Sequence, residues 1–199
     1  NKAKKILGVE EKLVQQRIQA LVVNERVVIS PLGQEERDFI WFRPYYLSEV
    51  GIAREINRLL QARCHLTESD LSANLEHVQQ QLNLKLANNQ ILALHALFKE
   101  KLHIITGGPG TGKSTIIKAI TYIVEKITPK IILAAPTGRA SKRMSEITGF
   151  PAQTIHSMLG FNFKTQGFRK NRKNPLDCDI LIIDEASMLD TFLTYHLLQ

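Results

Sequence analysis

The stretch Gly107-Gly108-Pro109-Gly110-Thr111-Gly112-Lys113-Ser114 fits the pattern G-x-x-x-x-G-K-[ST] without a mismatch. In this pattern the glycines let backbone N–H groups turn toward phosphate oxygens, and the N-terminus of a following helix adds a partial positive charge. Lys113 can reach the β- and γ-phosphates of a nucleoside triphosphate, and the Ser114 hydroxyl can ligate Mg²⁺. We therefore expect a nucleotide site at this phosphate loop (residues 107–114), with contacts from Gly108 through Thr115.

The residues on both sides of the phosphate loop fit such a site. Residues 103–106 are β-prone, so we expect a strand that leads into the loop. Apolar residues then recur at steps of three and four and predict a helix: Ile116, Ile117, Ile120, Val124 and Ile127. Continuous apolar runs at 131–135 and 180–183 are typical of strands buried on both faces of a parallel sheet. The C-terminal half is therefore predicted to be α/β.

The residues before the phosphate loop predict a small, mainly helical region with a β-hairpin. The expected elements are helices over 11–23 and 52–62, strands over 26–30 and 38–42, a helix after a capping-box pattern at 67–70, and a helix over 91–98. The order helix, hairpin, helix fits a winged-helix-like unit and fits a plain α+β packing unit equally well. We expect a division into residues 1–83 and residues 84–199.

Composition and targeting signals limit the class of protein. The chain is 44% hydrophobic and 23% charged, and no apolar run reaches membrane-spanning length. Its basic start precedes too few apolar residues for a signal peptide, so we expect a cytoplasmic protein without a membrane partner. Cys64 and Cys178 lie far apart and no metal-binding spacing occurs, so we expect neither a disulfide nor a structural metal. Because the chain lacks an initiator Met, we expect a piece of a longer protein.

The positive charge is concentrated in one segment. The net charge of the chain is +7, whereas residues 126–173 carry ten basic side chains and one acidic one. Residues 174–199 carry five acidic side chains and no basic one. A basic block of this kind favours a polyanion as partner, although a solvated basic face is the simpler interpretation of charge alone.

Two carboxylates, Asp184 and Glu185, directly follow the apolar run 180–183. A strand that ends in this pair, downstream of a phosphate loop, is typical of a second nucleotide motif. Asp184 would hold Mg²⁺ directly or through water, and Glu185 would orient and deprotonate the attacking water. In the absence of a phosphate loop, the pair would instead indicate the acidic start of a helix.

Four segments, taken in order, resemble the first motor domain of RecD-family superfamily-one DNA helicases: residues 107–115, 135–141, 154–156 and 184–188. The short spacing between Gly149 and Thr154 resembles the stand-alone long-form RecD proteins more than the RecD subunit of RecBCD. The resemblance covers roughly residues 84–199, with a looser match at 42–49. It implies a truncated RecA-like P-loop domain behind a small helical region with a hairpin. It also implies ATP and Mg²⁺ as cofactors, single-stranded DNA as partner, travel from the five-prime toward the three-prime end, and a place among the helicases of DNA repair and recombination.

Single residues take roles from this resemblance. Gln90 matches the glutamine motif, whose side-chain amide offers the donor and acceptor that adenine requires. Thr137, Gly138 and Arg139 match a segment that contacts the phosphates of single-stranded DNA. His156 matches a further DNA-side motif, where it either meets a base or phosphate or serves as a structural histidine. Because the basic segment 126–173 contains both DNA-side motifs, we expect it to be the DNA path.

Three hypotheses for function remain. The first is an ATP-dependent helicase. The sequence as far as Gln199 does not include the second motor domain of such an enzyme or its arginine fingers. We therefore expect this chain alone to bind nucleotide weakly and not to unwind DNA. A phosphoryl-transfer kinase would need an acceptor site and a lid, for which the sequence offers no candidate. A nucleotide-dependent DNA-binding or loading module without helicase activity would not need a base such as Glu185. Protein partners, oligomeric state and pathway stay open.

Overall fold

The computed structural model describes residues 2–33, 37–64 and 68–199, with the side chains of residues 2–4 and 68–73 excepted. Its contacts divide into two units, Asn1–Ala53 and Arg54–Gln199. The sequence-based division between residues 83 and 84 stays a prediction. No helix in the described ranges is both long enough and apolar enough to cross a membrane.

The first unit contains helices that flank a β-hairpin. Its elements are α1 (Lys2–Leu7), α2 (Glu11–Val23), β1 (Val27–Pro31), β2 (Asp38–Phe42) and the start of α3 (Arg43–Gln61). The strands pair antiparallel, with Val27 opposite Phe42 and Pro31 opposite Asp38. The predicted order helix, hairpin, helix is confirmed. Helix α3 begins well before the predicted start near Ile52, because Pro44 lies in its first turn, where a missing N–H costs no hydrogen bond.

The second unit is an α/β layer structure. Its elements are α4 (Glu68–Gln81), α5 (Asn88–Leu97), α6 (Lys113–Glu125), β3 (Ile131–Ala135), α7 (Gly138–Thr148), β4 (Ala152–Thr154), α8 (Ile155–Met158), β5 (Phe161–Asn162), β6 (Gly167–Phe168), β7 (Ile180–Ile183) and α9 (Thr191–Leu198). Strands β4, β3 and β7 form a parallel sheet in that order. The predicted parallel strands at 131–135 and 180–183 are therefore confirmed.

The core of the second unit lies between helix α6 and its neighbours. The apolar face of α6 is buried at Ile116, Ile120 and Val124, in agreement with the predicted periodicity. Leu94 of α5 and Val78 of α4 are fully buried in the same cluster, and the side chains of Ile131 and Ile180 pack against it from the sheet. Helix α6 is thus anchored on several sides, and its first residue, Lys113, is held in place.

Three local predictions differ from the structure or lie outside it. Residues 103–106 form no strand, because they have no ladder partner among the described residues, and Ile104 is 80% exposed. The sequence of residues 164–174 is polar and basic and predicts one long irregular surface loop, but β5 and β6 form a short antiparallel hairpin in which Phe161 pairs with Phe168. The capping box predicted at Thr67 lies outside the described residues.

Candidate nucleotide and DNA site

The phosphate loop curls around the ammonium group of Lys113. The Lys113 Nζ donates hydrogen bonds to the carbonyl oxygens of Gly107 and Gly108, at 2.6 and 2.8 Å. The Thr111 hydroxyl donates to the Gly108 carbonyl at 2.9 Å and fixes the same turn. The Lys113 ammonium therefore lies within the curve of the loop backbone, directly at the N-terminus of α6.

Glycine is required at two positions of the loop for different reasons. Gly112 has a φ of +81°, in the left-handed region, and a Cβ there would also overlap the Gln90 side-chain amide. A Cβ at Gly107 would lie 2.6 Å from the Thr111 hydroxyl oxygen. Because side chains are excluded at both positions, the backbone can approach a phosphate group closely. This geometry fits a nucleoside triphosphate.

Gln90 lies next to the phosphate loop, as expected of a residue that reads the nucleotide. Its Nε2 donates to the Thr111 carbonyl at 3.4 Å, and its Oε1 accepts from the Ala87 N–H at 2.9 Å. The second bond caps the start of α5. Both ends of the amide are thus engaged within the protein, and the adenine contact of Gln90 stays a prediction.

Asp184 and Glu185 lie at the carboxyl end of β7. The Asp184 N–H donates to the Ala134 carbonyl of β3 at 3.1 Å, and the Asp184 Oδ1 accepts from the Glu185 N–H at 2.9 Å. Glu185 has a φ of +54° and a ψ of +38°, a left-handed conformation that costs a non-glycine residue about 1 kcal/mol. The Glu185 side chain is exposed. Backbone strain in the candidate base is what a functional site would retain.

The segment predicted to contact DNA leaves the sheet at the same edge. Strand β3 runs parallel to β7, so Thr137 and Asp184 both follow carboxyl ends. The Thr137 hydroxyl caps α7 by accepting from the Ala140 N–H at 3.2 Å. Gly138 and Arg139 occupy the exposed first turn of that helix, where backbone N–H groups lack intrahelical acceptors. Such a turn can donate to phosphate oxygens.

His156 belongs to an aromatic cluster as well as to the surface. It lies in α8, after the cap at Thr154, which accepts from the Ser157 N–H at 3.2 Å. Its ring centroid lies 5.4 Å from that of Phe161 and 5.7 Å from that of Phe168. The residue is nevertheless exposed, so the structure supports a packing role and leaves the DNA contact of His156 a prediction.

The basic segment 126–173 has residues at both ends of β3. Lys126 and Lys130 precede β3, whereas Thr137 and Arg139 follow it, and five strand residues span about 16 Å. Lys130 also donates to Asp177 at 2.7 Å, a hydrogen bond that raises the pKa of the lysine and lowers the pKa of the carboxyl. The DNA path expected over residues 126–173 stays a prediction.

Sequence reasoning missed one charged cluster. Glu55 of α3 is fully buried and lies against the guanidinium groups of Arg54, Arg58 and Arg172. The hydrogen bond from Arg58 lowers the pKa of Glu55 most, burial opposes it, and the other two arginines assist. The signal that was available is the position of Glu55 on the apolar face of the helix, between Ile52 and Ile56.

The described residues contain no group of three or more His, Cys, Asp and Glu side chains able to hold a metal ion. A Mg²⁺ ion at Ser114 and Asp184 would take its remaining ligands from phosphate oxygens and water, as this ion commonly does. The donor set of one hydroxyl and one carboxylate fits that kind of site.

The sequence is similar to several curated proteins, among them two named as DNA helicases. It is 43% identical to the ATP-dependent RecD2 DNA helicase of Deinococcus radiodurans over 113 residues, which are 57% of this chain and 16% of that protein. It is 30% identical to the RecBCD enzyme subunit RecD of Mycolicibacterium smegmatis over an alignment of 190 positions that covers 81% of this chain and 32% of that protein. It is 37% identical to the ATP-dependent DNA helicase dda of Enterobacteria phage T4 over an alignment of 109 positions that covers 50% of this chain and 24% of that protein. The chain thus spans at most about a third of these relatives.

A family model described as "AAA domain" matches residues 90–199. The match begins at Gln90 and includes the phosphate loop, the Thr137–Arg139 segment and the Asp184-Glu185 pair. The predicted RecD-family resemblance and the RecA-like P-loop fold class are confirmed. Because the match covers more than half of the chain and all of its nucleotide motifs, the chain belongs to the AAA-domain family.

Proposed function

We propose that this chain forms the nucleotide-hydrolysing core of an ATP-dependent DNA helicase that moves along single-stranded DNA. The observation that carries the proposal is the shared sheet edge of β3 and β7. The Asp184-Glu185 pair follows β7, and the Thr137–Arg139 segment follows the adjacent β3. A change at the nucleotide can therefore reach the DNA contact through two neighbouring strands. Two of the relatives are named as DNA helicases, which supports the same proposal.

The residues of the nucleotide site divide the chemical work. Bound ATP with Mg²⁺ supplies the phosphoryl group that is transferred to water. Lys113 turns its ammonium from the loop carbonyls to phosphate oxygens, and the N–H groups at the start of α6 donate beside it. Ser114 and Asp184 would hold the Mg²⁺ ion, which would neutralise charge on the phosphate oxygens. Glu185 accepts the proton of the attacking water, and Gln90 gives its amide to the adenine edge.

The residues of the DNA side bind the backbone without reading sequence. Thr137, the Gly138 N–H and Arg139 contact phosphates, and His156 contributes an exposed ring edge. Travel from the five-prime end, a cytoplasmic location and the absence of a membrane partner remain predictions from the sequence. So does the boundary of the motor domain at residue 84.

The proposal is tested by Glu185→Gln in the full-length protein. This substitution keeps the size of the side chain and removes the base, so ATP binding should persist while DNA-stimulated turnover falls by about 10²–10⁴-fold. ATP affinity, ATP hydrolysis and strand separation are measured for both proteins. A full-length protein that binds DNA when ATP is present, but neither hydrolyses ATP nor separates strands, would instead support the loading module. Near-normal turnover of Glu185→Gln would place the base elsewhere.

A further inference from the structure

The Glu55 cluster (Glu55, Arg54, Arg58 and Arg172) contains more positive charge than the buried carboxylate needs. Arg58 Nε donates to Glu55 Oε2 at 2.7 Å, and the Arg58 Nη2 continues to the Leu198 carbonyl at 3.4 Å. This single arginine already pairs the carboxylate. Arg54 Nε and Arg172 Nη1 lie farther from Glu55 Oε1, at 3.3 and 3.6 Å. The cluster therefore carries a net charge of +2.

The two additional arginines face solvent and keep donors available. The side chains of Arg54 and Arg172 are 60% and 62% exposed, whereas that of Glu55 is 1% exposed. In the described part of the chain, each of these two side chains contacts Glu55 through one nitrogen of a guanidinium that has five N–H donors. Arg54 and Arg58 also lie four residues apart and share one face of α3. Glu55 thus holds two guanidinium groups at the surface, and each of them has further N–H donors that do not contact Glu55.

The turn that carries Arg172 is built rigidly and without acidic residues. The Asn171 Oδ1 accepts from the N–H groups of Lys173 and Asn174, at 2.9 and 3.3 Å. The Asn174 Nδ2 donates to the Arg169 carbonyl at 3.1 Å, and Asn171 and Asn174 form a β-bridge. The asparagine side chains fix the turn, so the exposed Arg172 and Lys173 side chains are left to face a partner.

The charged residues within this turn are all basic, while the carboxylates of Glu55 and Asp177 approach Arg172 and Lys170 from outside it. Arg169, Lys170, Arg172 and Lys173 lie in it, and no acidic residue occurs between Glu146 and Asp177. Guanidinium groups bind phosphate with two parallel hydrogen bonds, which a preorganised arginine makes at a lower entropic cost. The arginines are held in place, and their positive charge exceeds the negative charge of Glu55. Binding of phosphodiester groups therefore explains this arrangement better than contact with solvent alone.

We propose that Arg54, Arg172 and Lys173 form a second binding surface for the phosphate backbone of nucleic acid, separate from the Thr137–Arg139 segment. The inference rests on the proposed function, since it adds a contact to the same polyanion. Glu55 acts there as a positioning residue that sets the two arginines side by side. A nucleic acid that contacts both surfaces is bound by the start of α7, before the β5–β6 hairpin in the sequence, and by the turn that carries Arg172, after it.

The test compares two double variants of the full-length protein that lose the same charge. Labelled single-stranded oligonucleotide is titrated at several salt concentrations against the unchanged protein, Arg54→Gln/Arg172→Gln and Lys126→Gln/Lys130→Gln. Each lost phosphate contact reduces the slope of log affinity against log salt by about 0.7 for single strands, so the arginine variant should lose about 1.4. The lysine variant should keep the slope, since Lys130 is already paired with Asp177 and the Lys126 ammonium lies over the Tyr122 ring.

Further arms separate the possible failures. Arg139→Gln tests the proposed function, and if the unchanged protein binds no DNA, that function fails. If Arg139→Gln weakens binding while the arginine variant keeps the full slope, only the second surface is refuted. Equal losses in both double variants would indicate general charge and would also refute it. If the arginine variant loses polyglutamate binding but keeps DNA binding, the surface fits an acidic protein instead.

A single variant covers the case in which the arginine pair fails to fold. The Lys173 side chain is exposed, and the hydrogen bond from Lys173 to the Asn171 Oδ1 uses the backbone N–H. Lys173→Gln should therefore fold normally and lower the salt slope by about 0.7. An unchanged slope in this variant overturns the proposal.

Discussion

The phosphate loop and the Glu55 cluster both hold positive charge in a fixed frame, but they are built in opposite ways. In the loop, every atom that holds Lys113 comes from residues at most six positions away. In the cluster, Glu55 meets Arg172, which lies 117 positions later in the chain. The loop uses backbone carbonyls and left-handed glycines, whereas the cluster uses a buried carboxylate. The phosphate loop is therefore encoded by a short sequence motif, whereas the Glu55 cluster forms only when distant parts of the chain fold together.

The largest effect is expected from Lys113→Ala in the full-length protein. Lys113 meets phosphates in the ground state and in the transition state, so ATP binding and hydrolysis should fall together, with turnover reduced by at least about 10²-fold. ATP affinity and steady-state hydrolysis measure the two effects. Lys118→Ala is the matched control, since this lysine lies on the same helix outside the loop and should leave both constants unchanged. Normal ATP affinity in Lys113→Ala would contradict the role of the loop.

The next prediction concerns the backbone conformation of the phosphate loop, apart from the charge of Lys113. Gly112→Ala introduces a Cβ at a φ of +81° and against the Gln90 amide, so we expect about 1–3 kcal/mol of destabilisation and weakened nucleotide binding. Gly149→Ala is the matched control, because its φ is +78° and its Cβ would meet no atom within 4 Å. The difference in unfolding free energy between the two variants measures the Gln90 contact. Equal losses would mean that backbone strain alone requires glycine at position 112.

The extent of sequence-based prediction follows from this contrast. The phosphate loop, helix α6, and strands β3 and β7 were predictable because glycine spacing and apolar periodicity encode them locally. The strand expected at 103–106 was wrong, since a strand requires a partner that an apolar run does not supply. The β5–β6 hairpin was missed because its strands contain two residues each. The contact between Glu55 and Arg172 could not be predicted, because no local pattern links α3 to the turn before β7.

A smaller effect is expected in the pH dependence of the Glu55 cluster. The arginines hold the pKa of Glu55 below its ordinary value, so the unfolded chain binds a proton more readily than the folded protein does. The stabilisation is therefore complete above the pKa of the unfolded carboxyl and is lost as the pH falls through the lowered pKa of the folded state. Denaturant unfolding of the unchanged protein and of Glu55→Gln should differ most near neutral pH and converge in acid. A difference that is constant with pH would show that Glu55 acts through packing alone.

The smallest effect is expected at His196 of α9, whose ring centroid lies 4.8 Å from that of Phe168. Burial lowers the pKa of His196 below its ordinary value, so the folded protein favours the neutral imidazole. The stabilisation that neutral His196 gives the folded protein is complete above the pKa of the unfolded histidine, about 6.5. This stabilisation declines as the pH falls below that value. Because the side chain is only partly buried, we expect a fraction of a kcal/mol. His196→Phe keeps an aromatic ring against Phe168 and should flatten the decline in unfolding free energy between neutral and mildly acidic pH, whereas His196→Ala should lower that free energy at every pH. Parallel pH curves for the unchanged protein and His196→Phe would remove His196 from the acid response and leave it as a packing residue.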